Sequence, residues 1–139
     1  MTTAQFVLSE GVLNLPDAYQ DRSINVLKFK NVAATLVVTR AWDIKPDEDE
    51  NFINQQLAKV KRSMKKVVMG DVDDSDIAGL PAREVSLRFE NQHVMVYEKL
   101  AVTRVENHLL VLTFSRTEPF NADADAFWVS IKSGLQLRA

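Results

Sequence analysis

His93 and His108 are the side chains whose type most directly suggests catalysis or metal binding. Each lies in a segment that reads as a turn, Glu90-Asn91-Gln92-His93 and Val105-Glu106-Asn107-His108. A histidine acting in acyl transfer needs a nucleophile and an orienting carboxylate, and one holding a metal needs further ligands. No serine, cysteine or carboxylate stands at a spacing that makes a recognisable triad or metal site with either, so no catalytic residue, metal ligand or cofactor site is assigned. Asp71, Asp73, Asp74 and Asp76 superficially suggest a calcium loop. The sixth position of such a loop requires glycine and the twelfth a bidentate glutamate, and Ala82 stands at the latter, so a solvated loop is the better reading. Lys59, Arg62 and Lys66 would form one basic helix face for phosphates, but no aromatic residue interleaves with them and the net charge is -2. Dipole complementation and solubility account for them, and nucleic acid is not expected.

What remains is apolar chemistry. The segment Leu15-Pro16-Asp17-Ala18-Tyr19-Gln20-Asp21-Arg22-Ser23-Ile24-Asn25-Val26-Leu27 joins a polar turn carrying one aromatic to a strand that is apolar on both sides. Pro16 fixes its own torsion and removes a ladder donor, and Asp17 can bond to nearby backbone. Beyond the turn, Ile24 and Val26 share one face of an extended strand while Leu27 and Phe29 share the other. Neither face reads as solvated, so something must cover both.

The elements that position these residues follow from periodicity. Short strands are expected at Phe6–Ser9 and Val12–Leu15, then Ser23–Phe29 and Ala34–Arg40. Pro46 and the acidic run Asp47 to Glu50 open a helix whose apolar residues Ile53, Leu57, Val60, Met64 and Val67 recur at spacings of four and three. Lys59, Lys61, Arg62, Lys65 and Lys66 fall in its carboxyl-terminal half. A polar loop from Gly70 to Asp76 leads to the turn Gly79-Leu80-Pro81, and strands at Arg83–Phe89, Val94–Thr103 and Leu109–Ser115 make an antiparallel meander. A closing helix follows, with Asn121, Asp123 and Asp125 at its start and Phe127, Trp128, Ile131 and Leu135 as its apolar stripe. Trp128 is expected in the core. Tyr19 and Trp42 would either anchor an interface or pack on the sheet edge. The fold class is α+β, a mostly antiparallel twisted sheet with two main helices.

Composition agrees. The 139 residues suit one domain over 1–139, and 46% hydrophobic beside 26% charged residues is ordinary for a globular chain. Cysteine is absent, which excludes disulfides and thiolate metal sites. The first residues carry no basic segment followed by an apolar run, and no apolar segment reaches the roughly 20 residues that span a bilayer. The expectation is a cytoplasmic protein without membrane insertion.

The Leu15–Leu27 segment, Thr39-Arg40, the acidic start and Gln56-Leu57 of the first helix, Gly79-Leu80-Pro81-Ala82, and the final meander with its helix together resemble the Eag family of type VI secretion chaperones. That resemblance covers nearly the whole chain. It implies a PsbP-like sandwich and a noncatalytic homodimeric adaptor, which binds the amino-terminal transmembrane region of a secreted effector in a hydrophobic groove. Through the effector it would meet the secretion spike complex. The client-binding residues so implied are Ile24, Val26, Val37, Gln56 and Leu57, with Leu87, Phe89, Val96 and Leu100 as additions. Gln56 would hydrogen-bond client backbone or a small polar residue, and Glu98 would take over polar readout where Leu100 supplies none. The alternatives are core positions for the aliphatic residues, a solvated helix position for Gln56, and, for the whole chain, a PsbP-like binding module with a soluble protein partner.

Overall fold

The computed structural model describes residues 4–137. Two strands, β1 (Ala4–Leu8) and β2 (Gly11–Leu15), form a separate hairpin. The Leu15–Ser23 connection leads to β3 (Asn25–Phe29) and β4 (Ala34–Trp42), and a single 3-10 turn, Pro46–Glu48, precedes helix α1 (Asp49–Ser63). Strands β5 (Lys65–Met69), β6 (Asp73–Ile77), β7 (Leu80–Asn91), β8 (Val94–Val105) and β9 (His108–Arg116) follow, and helix α2 (Ala122–Ser133) closes the described chain. The main sheet has seven strands in the order β3-β4-β9-β8-β7-β5, with β6 also pairing β7, and every pairing is antiparallel.

Register decides what each helix covers. Residues directly opposite one another share a face. One face presents Ala34, Leu36, Ala101, Leu110, Leu112 and Phe114 to α2, where Trp128 is fully buried against the Phe114 ring at 5.7 Å between centroids. Asn121 caps α2 by accepting a bond from the Ala124 backbone N–H at 2.8 Å, as its position before the apolar stripe suggests. Trp128 Nε1 and Lys132 Nζ both donate to the Glu84 carboxylate on β7, at 3.1 and 2.6 Å, which fixes the helix on the sheet. Burial alone would raise the Glu84 carboxyl, but the bonds from Lys132, Trp128 and Ser75 leave it below its ordinary value. The opposite face presents Val85, Leu87, Phe89, Leu100, Val102, Leu109 and Val111, over which α1 lays Ile53, Leu57 and Val60.

Four expectations are corrected. Helix α1 ends at Ser63, because Met64 is already extended and Lys66 adopts a left-handed φ of 53°. Lys65 and Lys66 therefore belong to β5, although Met64 and Val67 keep their place in the core beneath the helix. The acidic stretch is only partly a loop: Asp73–Ile77 is strand β6, held by the two-residue turn Ala78-Gly79, both at positive φ, and by the bridge from Arg83 to Asp74 at 2.7 Å. Leu135 lies beyond the end of α2 and is exposed. His108 begins β9, whereas His93 does sit in the tight turn between β7 and β8 with φ 67°.

Candidate functional site

On the face that α1 partly covers, cross-strand partners run in a row from Val26 on β3 through Val37 on β4, Thr113 on β9 and Leu100 on β8 to Val85 on β7. Helix α1 rests on the β7–β8 end of such rows and neither helix core includes Val26 or Val37. Ile24 is 69% exposed and Val26 55% exposed, while Val37 is half-buried. Thr39 and Thr113 floor the same half of the sheet, with Thr35 and Ser115 in the next row. Four strands at about 4.8 Å spacing put Val26 roughly 14 Å from Leu100, and an α-helix with side chains is roughly 10–12 Å across. The open half of the sheet therefore has the width of one helix.

The orientation of α1 closes one side of this trough. Asp49 accepts two bonds from Arg104 on β8 at 2.6 and 3.1 Å, and Glu50 accepts one from Arg83 on β7 at 2.7 Å. The Asp49 edge of the helix thus looks toward β9 and β4, and the Glu50 edge away from them. Seven residues at about 100° each return to within about 20° of the starting direction, so Gln56 lies on the Asp49 edge, above the trough. It is half-buried there.

The structure therefore brings together Ile24, Val26, Val37 and Gln56 and separates the others. Leu87, Phe89 and Leu100 are buried to 5%, 6% and 7% relative exposure in the core under α1, and Leu57 and Val96 pack against that core. Assigning Leu87, Phe89 and Leu100 as client-contacting is corrected: they are buried in the core that seats α1, while Leu57 and Val96 are half-buried beside it. The hydroxyls of Thr113 and Ser115 were not singled out from the sequence, and Thr39 entered only within the Thr39-Arg40 strand end. Only the register of β4 against β9 shows that they sit between Val26 and α1.

The acid on this floor is Glu98. It lies between Leu87 and Ser115 in the cross-strand rows. Burial pushes its carboxyl up to about 7, with no hydrogen bond or neighbouring charge among the described residues acting against that rise.

A second cluster pins the Leu15–Ser23 segment to the end of the sheet. Trp42 Nε1 donates to the Asp21 carbonyl at 2.9 Å and its indole stacks on the His108 ring at 4.3 Å. Arg40 lies 3.6 Å from the Asp21 carboxylate and donates to Asn25 at 3.1 Å. Burial, then the Arg40 guanidinium, hold the His108 imidazole below its ordinary value, which favours its neutral form. Its Nδ1 is buried without a hydrogen-bond partner among the described residues. Tyr19 belongs to the same region, donating to the Gln5 carbonyl at 2.8 Å and meeting Phe6 edge-to-face. Both aromatics thus fasten the turn and the hairpin to the sheet. Among the described residues no group of His, Cys, Asp and Glu is placed to hold a metal ion, and no helix is long and apolar enough to cross a membrane.

Comparison with known proteins gives the lineage. The DcrB family model matches residues 10–134. The chain belongs to the DcrB family. Among solved structures, this DcrB-family chain is similar to PA94 of Pseudomonas aeruginosa, a protein of unknown function, with a TM-score of 0.76 and 20% identity over 99% of this chain and 98% of that one. It is also similar to CyanoP, the cyanobacterial PsbP of Synechocystis sp. PCC 6803, with a TM-score of 0.55 and 10% identity over 94% and 89% of the two chains. At these identities the likeness is one of fold, and the fold is the expected PsbP-like one, a mostly antiparallel sheet with two helices. No curated protein matches the chain.

Proposed function

We propose that this DcrB-family protein is a noncatalytic chaperone of the Eag type, which holds an apolar amino-terminal segment of a type VI effector in the trough until the effector is loaded for secretion. The reading is carried by one observation: on the face that α1 partly covers, the β3–β4 half of the sheet presents Ile24, Val26 and Val37 beside the threonines of β4, is as wide as a helix, and leaves these three aliphatic residues outside both helix cores, with Ile24 and Val26 largely exposed. The sequence resemblance to Eag chaperones names the client, and the trough supplies the physical reason that such a client would stay. A membrane-spanning helix is apolar all round and in water must be covered or it aggregates. Burying apolar surface at about 25 cal/mol per Å² gives several kcal/mol of attraction from a few aliphatic side chains, less the cost of ordering the client.

A cytoplasmic location and a homodimer belong to the same reading. The β1–β2 hairpin exposes Val7, Leu8, Val12 and Leu13, apolar surface outside the trough that a second copy would cover.

Coexpression with the amino-terminal region of a candidate effector tests the proposal. The effector segment is expected in the soluble fraction, bound to the protein, only when the protein is present, and Ile24→Asp or Val37→Asp should abolish retention. Undiminished retention by folded charged variants, or equal recovery of soluble effector without the protein, refutes it.

A further inference from the structure

Strands β3, β4 and β9, and β8 at the border between the trough and α1, contain one acidic residue among them, Glu98. Alternation puts it on the trough side of β8, in line with Leu100 and Val96 along the strand and beside Leu87 and Ser115 across it. Its sequence neighbour Lys99 points to the other face, where its ammonium lies 3.7 Å from Asp125 and 5.0 Å from the Phe120 ring centre. The cation of its own cross-strand row, Lys28, is three strands away, roughly 14 Å at about 4.8 Å per strand. Among the described residues no ion pair or hydrogen bond involves the Glu98 carboxyl, and burial raises it. A carboxyl held among aliphatic neighbours without a partner is an expense to the fold. An apolar helix laid over it would strip its remaining water and compensate nothing. A helix carrying a cation at that depth would pair with it, as ionisable residues inside membrane segments pair with one another.

We propose that Glu98 is the specificity-determining residue of the trough, taking the side-chain cation of a Lys or Arg embedded in an otherwise apolar client helix. The inference rests on the shielding function proposed above and adds to it the chemical class of client.

The test uses synthetic helical peptides of Leu and Ala, about 20 residues long to match a membrane span, with a central lysine in one and a central norleucine in the other. Both are presented in nonionic detergent at pH 8, where the carboxyl is ionised. Affinities for the wild-type protein and for Glu98→Gln are measured by fluorescence anisotropy at fixed ionic strength. The expected result is at least about ten-fold tighter binding of the lysine peptide to wild type, with the preference gone in Glu98→Gln while the norleucine peptide binds both proteins; ten-fold corresponds to about 1.4 kcal/mol. Equal binding of both peptides to wild type, or a preference that survives in Glu98→Gln, overturns the role of Glu98 and leaves the shielding function standing. Failure of wild type to bind either peptide overturns both. The comparison on wild type needs no variant to fold.

Discussion

Replacing Glu98 by glutamine should make the protein more stable, and only above mildly acidic pH. The ordinary carboxyl value of 4.5 applies to the unfolded chain, and the folded protein raises it to about 7. Between those values the native state holds a proton that the unfolded state has released, so stability falls as pH rises through the window. Below about 4.5 both states are protonated and nothing is lost; above about 7 both are ionised and the penalty is constant. At 1.36 kcal/mol per pH unit the shift amounts to roughly 3 kcal/mol, and partial access to water through the open trough brings the expectation to about 1–3 kcal/mol. Glutamine keeps the shape and has no proton to lose. Urea unfolding of both proteins at pH 4.5, 6 and 8 reads the effect as a difference between them, in which Glu84, Asp21 and His108 cancel because both proteins carry them. The gap in unfolding free energy should open from pH 4.5 to pH 7 and stay level beyond. A gap that is the same at pH 4.5 and pH 8 would refute the claim that the carboxyl is buried without a partner.

Two further outcomes separate the trough from the core. Leu87→Ala should cost about 2–5 kcal/mol in the same unfolding assay, since Leu87 is sealed under α1, whereas Ile24→Asp should change stability by no more than about 0.5 kcal/mol, since Ile24 is exposed; comparable losses would mean that Ile24 is structural. Lys132→Met should cost about 1–3 kcal/mol at pH 7 by removing the cation bonded to Glu84. The wild-type contribution of Glu84 is present above pH 4.5 and fades as acid protonates the carboxyl through its lowered value, so the cost of Lys132→Met should shrink on acidification. A cost independent of pH would show that Lys132 acts by packing alone.

The order of elements, the α+β class and the two apolar helix stripes were legible in the sequence, because each rests on local periodicity that the chain carries in consecutive residues: Ile53, Leu57 and Val60 at helical spacing, and alternating apolar residues from Val94 to Thr103. Two strands escaped that reading. β5 follows α1 without a break because Lys66 turns the chain at positive φ, a conformation its side chain does not announce. β6 is acidic, and its strand state comes from its five-residue ladder with β7 and the burial of Ile77, not from hydrophobic alternation.

The candidate site divides the same way. That Ile24, Val26 and Val37 are aliphatic and lie on extended segments is written in the sequence; that they escape burial while Leu87, Phe89 and Leu100 do not depends on where α1 lands. That landing joins residues far apart in the chain: Ile53, Leu57 and Val60 pack on the β7–β8–β9 core, and Asp49 bonds to Arg104 and Glu50 to Arg83. Strand pairing likewise put Glu98 beside Leu87 and Ser115, and so gave a common surface residue an uncommon environment. Local periodicity determines which residues form strands and helices; which side of the sheet remains open is a property of packing between elements, and no run of consecutive residues encodes it.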